Sequence, residues 1–98
     1  MRTVDGQWVE ARPVPGSVLI NVGDLLENIS GGRFPATPHR VLVPRDEEKR
    51  NIVRQSIAFF VQPDSDVMCQ PLGGPDTRYP PTRVADYLQK RVDQTLRK

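Results

Sequence analysis

Proline is the residue that most restricts how this chain folds. The 98 residues include ten prolines, about twice the usual share. A proline inside a helix removes a backbone hydrogen bond and clashes with the preceding turn, so the prolines divide the chain into short pieces. This pattern favours β-strands and loops over a helical bundle. A chain of this length forms one small domain at most.

The charge pattern and the cysteine content indicate the cellular compartment and the kinds of binding partner. Cys69 is the single cysteine, which excludes an intrachain disulfide. There is no signal-peptide pattern at Met1–Glu10 and no run of apolar residues long enough to span a membrane. Fourteen basic residues stand against twelve acidic ones, and the basic residues are scattered until the last turns of the chain. We therefore expect a cytoplasmic protein with neither a nucleic-acid nor a membrane partner.

Short apolar segments predict the strands. Asp5-Gly6 is a two-residue turn signal and predicts a hairpin that includes Trp8. The nearly continuous apolar run Ser17–Val22 is typical of a central strand covered on both faces. Further strands are predicted at Pro38–Val43, Ile52–Val61 and Val67–Gln70.

Two segments predict helices, and the stretches between them predict loops. Leu25–Ser30 has room for about two turns of helix, and Gly31-Gly32 after it offers a left-handed ending. Thr82 is a plausible N-cap for a final helix over Arg83–Arg97. The charged run Arg45–Arg50 predicts a solvated loop, and Pro71–Pro81 predicts an irregular one. One apolar stripe of the final helix would dock on the rest of the chain, and it consists of Val84, Tyr87, Leu88, Val92 and Leu96.

Three polar residues are candidates for binding a metal ion or a ligand. His39 is the only histidine, so no metal site can be completed from histidines within the chain. Arg54 and Ser56 point to the same face of a strand, where a guanidinium fork and a hydroxyl would bind a carboxylate. Taken one at a time, a histidine at a strand start is more often structural, and such an arginine is more often an ordinary surface residue.

The order of several motifs along the chain favours a functional role for these three residues. Gly23-Asp24-Leu25-Leu26 is followed by Gly32-Arg33-Phe34, then by His39-Arg40-Val41, and then by Arg54-Gln55-Ser56. With Trp8 before them, the series resembles the iron(II)/2-oxoglutarate oxygenase superfamily, and within it the isopenicillin N synthase-like branch. The resemblance covers residues 5–63, and the joint occurrence of these motifs is highly specific.

The resemblance implies a fold, cofactors and roles for the candidate residues. The fold would be a double-stranded β-helix, or jelly roll, that holds iron(II) on two histidines and one carboxylate. His39 matches the distal histidine of that set. Arg54 and Ser56 match the pair that binds the far carboxylate of 2-oxoglutarate. Dioxygen would decarboxylate this co-substrate to succinate and oxidise a small-molecule substrate.

The sequence departs from the family pattern in two places. The family's His-x-Asp, which provides the other two iron ligands, does not occur in the 98 residues. Arg54 lies 15 positions after His39, a longer distance than in many relatives, and Pro44–Arg50 has the character of an inserted loop. In some members of the branch the Arg-x-Ser pair binds a substrate carboxylate and no 2-oxoglutarate is used. The sequence does not decide between 2-oxoglutarate and a substrate carboxylate as the ligand of Arg54 and Ser56.

These observations lead to one expected architecture and two main functional hypotheses. We expect a mainly β chain, the C-terminal part of a jelly roll, with a short internal helix and a C-terminal α-helix. Residues 1–63 would form the C-terminal half of the oxygenase domain, and residues 64–98 an extension with a loop and a docking helix.

The leading hypothesis is the C-terminal portion of a non-haem iron, 2-oxoglutarate-dependent oxidoreductase. Such a portion would be inactive alone, would contain no catalytic residue beyond its binding residues, and would pair with the missing N-terminal half of the domain. The alternative is a non-enzymatic remnant that binds or regulates a partner through its open half-barrel. A third interpretation, a self-contained small β-domain without metal chemistry, treats the ordered motifs as accident.

Overall fold

The computed structural model describes residues 1–97, and residue 98, the end of the expected extension, lies outside them. Two short strands pair antiparallel, with Met68 opposite Arg83 and Cys69 opposite Thr82. The elements in chain order are α1 (Asp24–Ile29), α2 (Glu47–Arg50), β1 (Met68–Cys69), β2 (Thr82–Arg83) and α3 (Val84–Leu96). No helix within residues 1–97 is long and apolar enough to cross a membrane.

The expected N-terminal hairpin is present, but its turn is longer than a two-residue turn. The Thr3 amide donates to the Gln7 carbonyl at 2.7 Å, and the Gly6 amide donates to the Thr3 carbonyl at 3.0 Å. Three residues therefore lie between the paired positions. Gly6 has φ +89°, the left-handed conformation that closes a three-residue hairpin loop. Arg2 then pairs with Trp8 across the hairpin.

Helix α1 confirms the predicted short helix and its glycine ending. The Gly31 amide donates to the Asn28 carbonyl at 3.0 Å, and the Gly32 amide donates to the Glu27 carbonyl at 2.9 Å. These two bonds are those of a Schellman motif, which satisfies carbonyls that the end of a helix leaves without partners. Gly31 and Gly32 have φ +60° and +82°, so both positions use the backbone freedom of glycine.

Three of the predicted strands are wrong for this structure. Ser17–Val22, Pro38–Val43 and Ile52–Val61 belong to no strand within residues 1–97, and most of their large apolar side chains are exposed, with Ile57 at 97%. A strand requires a neighbour to bond its alternating amides and carbonyls. Within the described part of the chain, the Val22 and Pro38 carbonyls each accept one hydrogen bond from a distant amide, and no ladder forms. The apolar residues typical of strands are present, but the pairing that would make these segments strands is not.

The charged run before Ile52 also differs from its prediction as a loop. Glu47–Arg50 forms one turn of helix, α2. The Asp46 side chain accepts a hydrogen bond from the Glu48 amide at 3.0 Å, which is N-cap geometry. The acidic residues of this run lie at the start of the turn and the basic ones at its end, which favours the helix dipole.

The core of the structure lies where the C-terminal helix begins. Cys69 and Val84 are 1% and 0% exposed, on β1 and on the first turn of α3. The Val84 amide donates to the Val67 carbonyl and the Ala85 amide to the Ser65 carbonyl, both at 3.0 Å. Backbone carbonyls of the preceding segment thus satisfy the first amides of the helix, which otherwise have no partner.

The prediction of Thr82 as the N-cap of the last helix is wrong, because Arg83 occupies that position and Thr82 belongs to β2. The helix itself is confirmed to within one residue at each end. Its apolar stripe docks only in its first turns: Val84 is buried, Tyr87 and Leu88 are half-buried, and Leu96 is 78% exposed.

Helix α1 also packs against this C-terminal core. The Leu72 amide donates to the Ile29 carbonyl at 3.0 Å, and Gly31 lies close to Pro71, which is buried. The packed part of the molecule therefore joins α1 to residues 65–88. The division into residues 1–63 and 64–98 stays a prediction, and α1 contacts the second of these two parts.

Candidate functional site

His39 is exposed, and a backbone contact orients its ring. Nδ1 lies 2.8 Å from the Thr37 carbonyl oxygen. A carbonyl oxygen only accepts hydrogen bonds, so Nδ1 carries the proton and donates it. Nε2 is then left with a lone pair, which is the form of a neutral imidazole that binds a metal ion. The geometry is therefore compatible with a ligand role for Nε2.

Residues on both sides of His39 contact distant parts of the chain, through the backbone before it and through a side chain after it. The Thr37 amide donates to the Val22 carbonyl at 3.0 Å, and the Arg2 amide donates to the Pro38 carbonyl at 2.8 Å. The Arg40 guanidinium carbon lies 4.1 Å from the centroid of the Trp8 ring, which is cation–π geometry. The N-terminal hairpin and the segment before α1 thus support this stretch.

A second set of contacts connects the same stretch to α1 and to the C-terminal segment. The Ala36 amide donates to Glu27 Oε2 at 2.6 Å. The Tyr79 hydroxyl donates to Glu27 Oε1 at 3.0 Å, and this hydrogen bond raises the pKa of Tyr79 above its ordinary value. The sequence alone does not reveal this connection, because Tyr79 lies 52 positions after Glu27 and no local pattern marks such a pair.

A small cavity lies beside these residues, between α1 and the segment that leads into α3. Its volume is about 190 Å³, and its lining includes Asp24, Glu27, Tyr79 and Tyr87. The Tyr87 hydroxyl donates to Asp24 Oδ2 at 2.6 Å. Partial burial, together with this bond, raises the pKa of Tyr87 to about 12. Both carboxylates already accept from tyrosine hydroxyls, so the cavity's polar groups serve the packing of α1.

Arg54 and Ser56, the predicted carboxylate-binding pair, lie on the irregular segment that follows α2 and are both exposed. Among residues 1–97 neither side chain forms a hydrogen bond or an ion pair. Their guanidinium and hydroxyl donors are thus accessible to a ligand. Their joint role with His39 stays a prediction.

The metal donors of this chain form an incomplete set. Within residues 1–97 no group of three or more histidine, cysteine, aspartate or glutamate side chains could hold a metal ion. His39 fits as one donor through Nε2, but three protein ligands are needed for the iron centre that the resemblance implies. The described residues by themselves therefore do not fit a complete iron site.

Comparison with known proteins places the polar candidates within a matched region. The family model described as the 2OG-Fe(II) oxygenase superfamily matches residues 1–63. This range contains His39, Arg54 and Ser56, together with α1 and α2. No solved structure matches the chain.

Curated relatives match over nearly the whole chain. It is 36% identical over 88 residues to 1-aminocyclopropane-1-carboxylate oxidase 3 of Arabidopsis thaliana, covering 87% of this chain and 26% of the relative. It is 36% identical over 88 residues to gibberellin 20 oxidase 2 of Oryza sativa subsp. japonica, covering 88% and 21%. It is 33% identical over 99 residues to leucoanthocyanidin dioxygenase 1 of the same subspecies, covering 94% and 25%. The chain spans about a quarter of the length of these relatives.

Proposed function

Because this chain belongs to the 2OG-Fe(II) oxygenase superfamily, we propose that it forms the C-terminal part of a non-haem iron, 2-oxoglutarate-dependent oxidoreductase domain. The domain would oxidise a small organic molecule. The observation that carries the proposal is the orientation of His39, whose Nδ1 contacts the Thr37 carbonyl at 2.8 Å within the matched residues. This contact leaves Nε2 free to bind a metal.

In this proposal the fold of the complete domain is a jelly roll. The segments Ser17–Val22, Pro38–Val43 and Ile52–Val61 would become strands once neighbouring strands pair with them. Their exposed apolar side chains support this, since Val18, Ile20, Ile57, Phe59 and Val61 are all at least 84% exposed. Exposed apolar surface of this extent, next to unpaired backbone, is typical of an interaction surface. Its partner would be the N-terminal half of the same domain.

The proposed iron centre takes one ligand from this chain. His39 would bind iron(II) through Nε2, and the two other protein ligands would come from a His-x-Asp outside these 98 residues. Bound iron(II) would supply the oxidation chemistry with dioxygen. The chain's own contribution is to hold the imidazole by the Thr37 carbonyl and to hold the co-substrate. The 98 residues alone would therefore be inactive.

Arg54 and Ser56 are proposed to bind a carboxylate. The guanidinium supplies two parallel donors, and the hydroxyl two residues away on the same face supplies a third. The ligand is the far carboxylate of 2-oxoglutarate in the main proposal. One relative is named for its action on 1-aminocyclopropane-1-carboxylate, so a substrate carboxylate is the other ligand that the pair would fit. The non-enzymatic remnant is not favoured, because the relatives carry oxidase and dioxygenase names.

Calorimetry with iron(II) and 2-oxoglutarate tests the proposed function. We expect no iron binding by the 98-residue chain, because one imidazole is too few ligands. We expect binding by an extended chain, defined here as a longer form of the protein that includes a His-x-Asp. The extended chain should also release succinate with 2-oxoglutarate as co-substrate. An extended chain that binds neither iron nor 2-oxoglutarate would contradict the proposal.

Substitution of Arg54 tests the carboxylate-binding role separately. In the extended chain, Arg54→Ala should weaken 2-oxoglutarate binding by about 10- to 100-fold, because hydrogen bonds to a charged group contribute about 1.5–3 kcal/mol. The 2-oxoglutarate affinity of Arg54→Lys should lie between those of the parent and of Arg54→Ala, since lysine keeps the charge and loses the paired donors. The control is Arg91→Ala on α3. Unchanged 2-oxoglutarate affinity, with weaker binding of a substrate carboxylate, would assign the pair to the substrate instead.

A further inference from the structure

Glu27 connects two parts of the chain that are far apart in sequence. One carboxylate oxygen accepts from the Tyr79 hydroxyl, and the other accepts from the Ala36 amide. Because both oxygens are used, the carboxylate has a defined orientation relative to α1. Tyr79 lies outside the matched residues 1–63, and Ala36 lies three residues before His39.

Contacts with neighbouring residues hold the Tyr79 side chain in place. The Arg78 guanidinium carbon lies 5.4 Å from the centroid of the Tyr79 ring. Arg78 in turn binds Asp76 at 2.7 Å. The ring also lies against Gly32, where an added Cβ would be only 2.7 Å from the tyrosine oxygen. The hydroxyl is therefore held close to the end of α1 and directed at Glu27.

The Ala36 side leads directly to the imidazole. Ala36 precedes Thr37, whose amide donates to the Val22 carbonyl and whose carbonyl accepts from His39 Nδ1. A shift of the backbone at Ala36 moves the carbonyl that orients the ring. The ring has no other hydrogen-bond partner within residues 1–97, so its tautomer depends on that one carbonyl.

We propose that Tyr79 and Glu27 are positioning residues for His39: the hydrogen bonds from Tyr79 to Glu27 and from Ala36 to Glu27 hold the backbone that orients the imidazole. The C-terminal segment thereby sets which ring nitrogen is available to bind a metal. The inference rests on the proposed function for the ligand role of His39, while the connection itself is a property of this chain.

Tyr79→Phe and Tyr87→Phe form a matched pair for the test. Each removes one hydroxyl that donates to a carboxylate of α1, but only Tyr79 is connected to Ala36 through Glu27. The two readouts on the chain are the Nδ1–H fraction of His39, from the chemical shifts of the imidazole nitrogens, and the exchange rate of the Ala36 amide. Tyr79→Phe should lower the Nδ1–H fraction and speed the exchange about tenfold. Tyr87→Phe should leave both unchanged.

Glu27 provides the rescue control. Glu27→Ala removes both acceptors and should change both readouts. Glu27→Gln should retain them, because its amide oxygen can accept from Ala36 and its amide nitrogen can donate to the tyrosine oxygen. The amide exchange of Cys69 and Val84 reports whether each variant stays folded, and if Glu27→Ala unfolds, the tyrosine pair and Glu27→Gln decide.

The outcomes separate this inference from the proposed function. If Tyr79→Phe leaves the His39 tautomer and the Ala36 exchange unchanged, or if Tyr87→Phe changes them equally, the positioning role is overturned even when the extended chain binds iron(II). If the readouts respond as expected but the extended chain binds no iron(II), the connection to the ring stands and the proposed function fails.

Discussion

Replacing His39 with alanine is expected to abolish iron(II) binding by the extended chain. His39 is the only histidine among the 98 residues, so no other imidazole of this part of the chain can substitute for it. Loss of a residue that only supports a metal ligand costs about 10- to 100-fold in metal affinity, and loss of the ligand itself should exceed that range. Calorimetric titration with iron(II) measures the change, and succinate release should be lost with it.

The control for this substitution lies two residues away. Thr37→Ser changes a side chain but keeps the carbonyl that accepts from His39 Nδ1, so iron binding should stay close to that of the parent. Circular dichroism would establish that both variants retain the parent's helix content. If the extended chain with His39→Ala binds iron(II) as tightly as the parent, His39 is not a ligand and the match to the family's distal histidine is wrong.

The second large effect is expected at Gly32. Its φ of +82° is in the left-handed region, where a residue with a Cβ is disfavoured by about 1–2 kcal/mol. A Cβ at this position would also lie 2.7 Å from Tyr79 Oη, and such overpacking costs about 1–3 kcal/mol. Gly32→Ala should therefore lower the free energy of unfolding by about 2–5 kcal/mol, measured by chemical denaturation.

Gly73 offers the matched control, because an added Cβ there would meet no atom within 4 Å and the residue does not have a positive φ. Gly73→Ala should leave stability nearly unchanged. Adding Tyr79→Phe to Gly32→Ala should recover part of the loss, since the nearest contact is the tyrosine oxygen and the next two are ring carbons at 3.3 Å. Equal destabilisation by both glycine variants would contradict the role given to Gly32.

The candidate site was partly visible in the sequence. Residues His39, Arg54 and Ser56 were singled out by residue type and by the order of the motifs, and all three lie in the matched residues 1–63. Their individual roles stay predictions. The supporting residues Glu27 and Tyr79 were missed, because they lie 52 positions apart. Local sequence patterns do not indicate contacts between residues so far apart.

The strands were the least predictable part of the fold. Ser17–Val22 and Ile52–Val61 have the composition of strands, but in the described chain they belong to no strand. Composition and alternation establish that a segment can be a strand. The hydrogen bonds that make it one depend on a neighbour, and that neighbour is not contained in the segment itself.

The sequence by itself determined the elements whose causes are local. Asp5-Gly6 indicated the hairpin turn, Gly31-Gly32 the end of α1, and the apolar stripe after Thr82 the helix α3, because backbone preferences and helical spacing act within a few residues. Tertiary structure alone decided how α3 begins and what holds His39. Carbonyls of the segment before β1 bind the first amides of α3, and Glu27 connects Tyr79 to Ala36. These hydrogen bonds form only after distant segments have packed together.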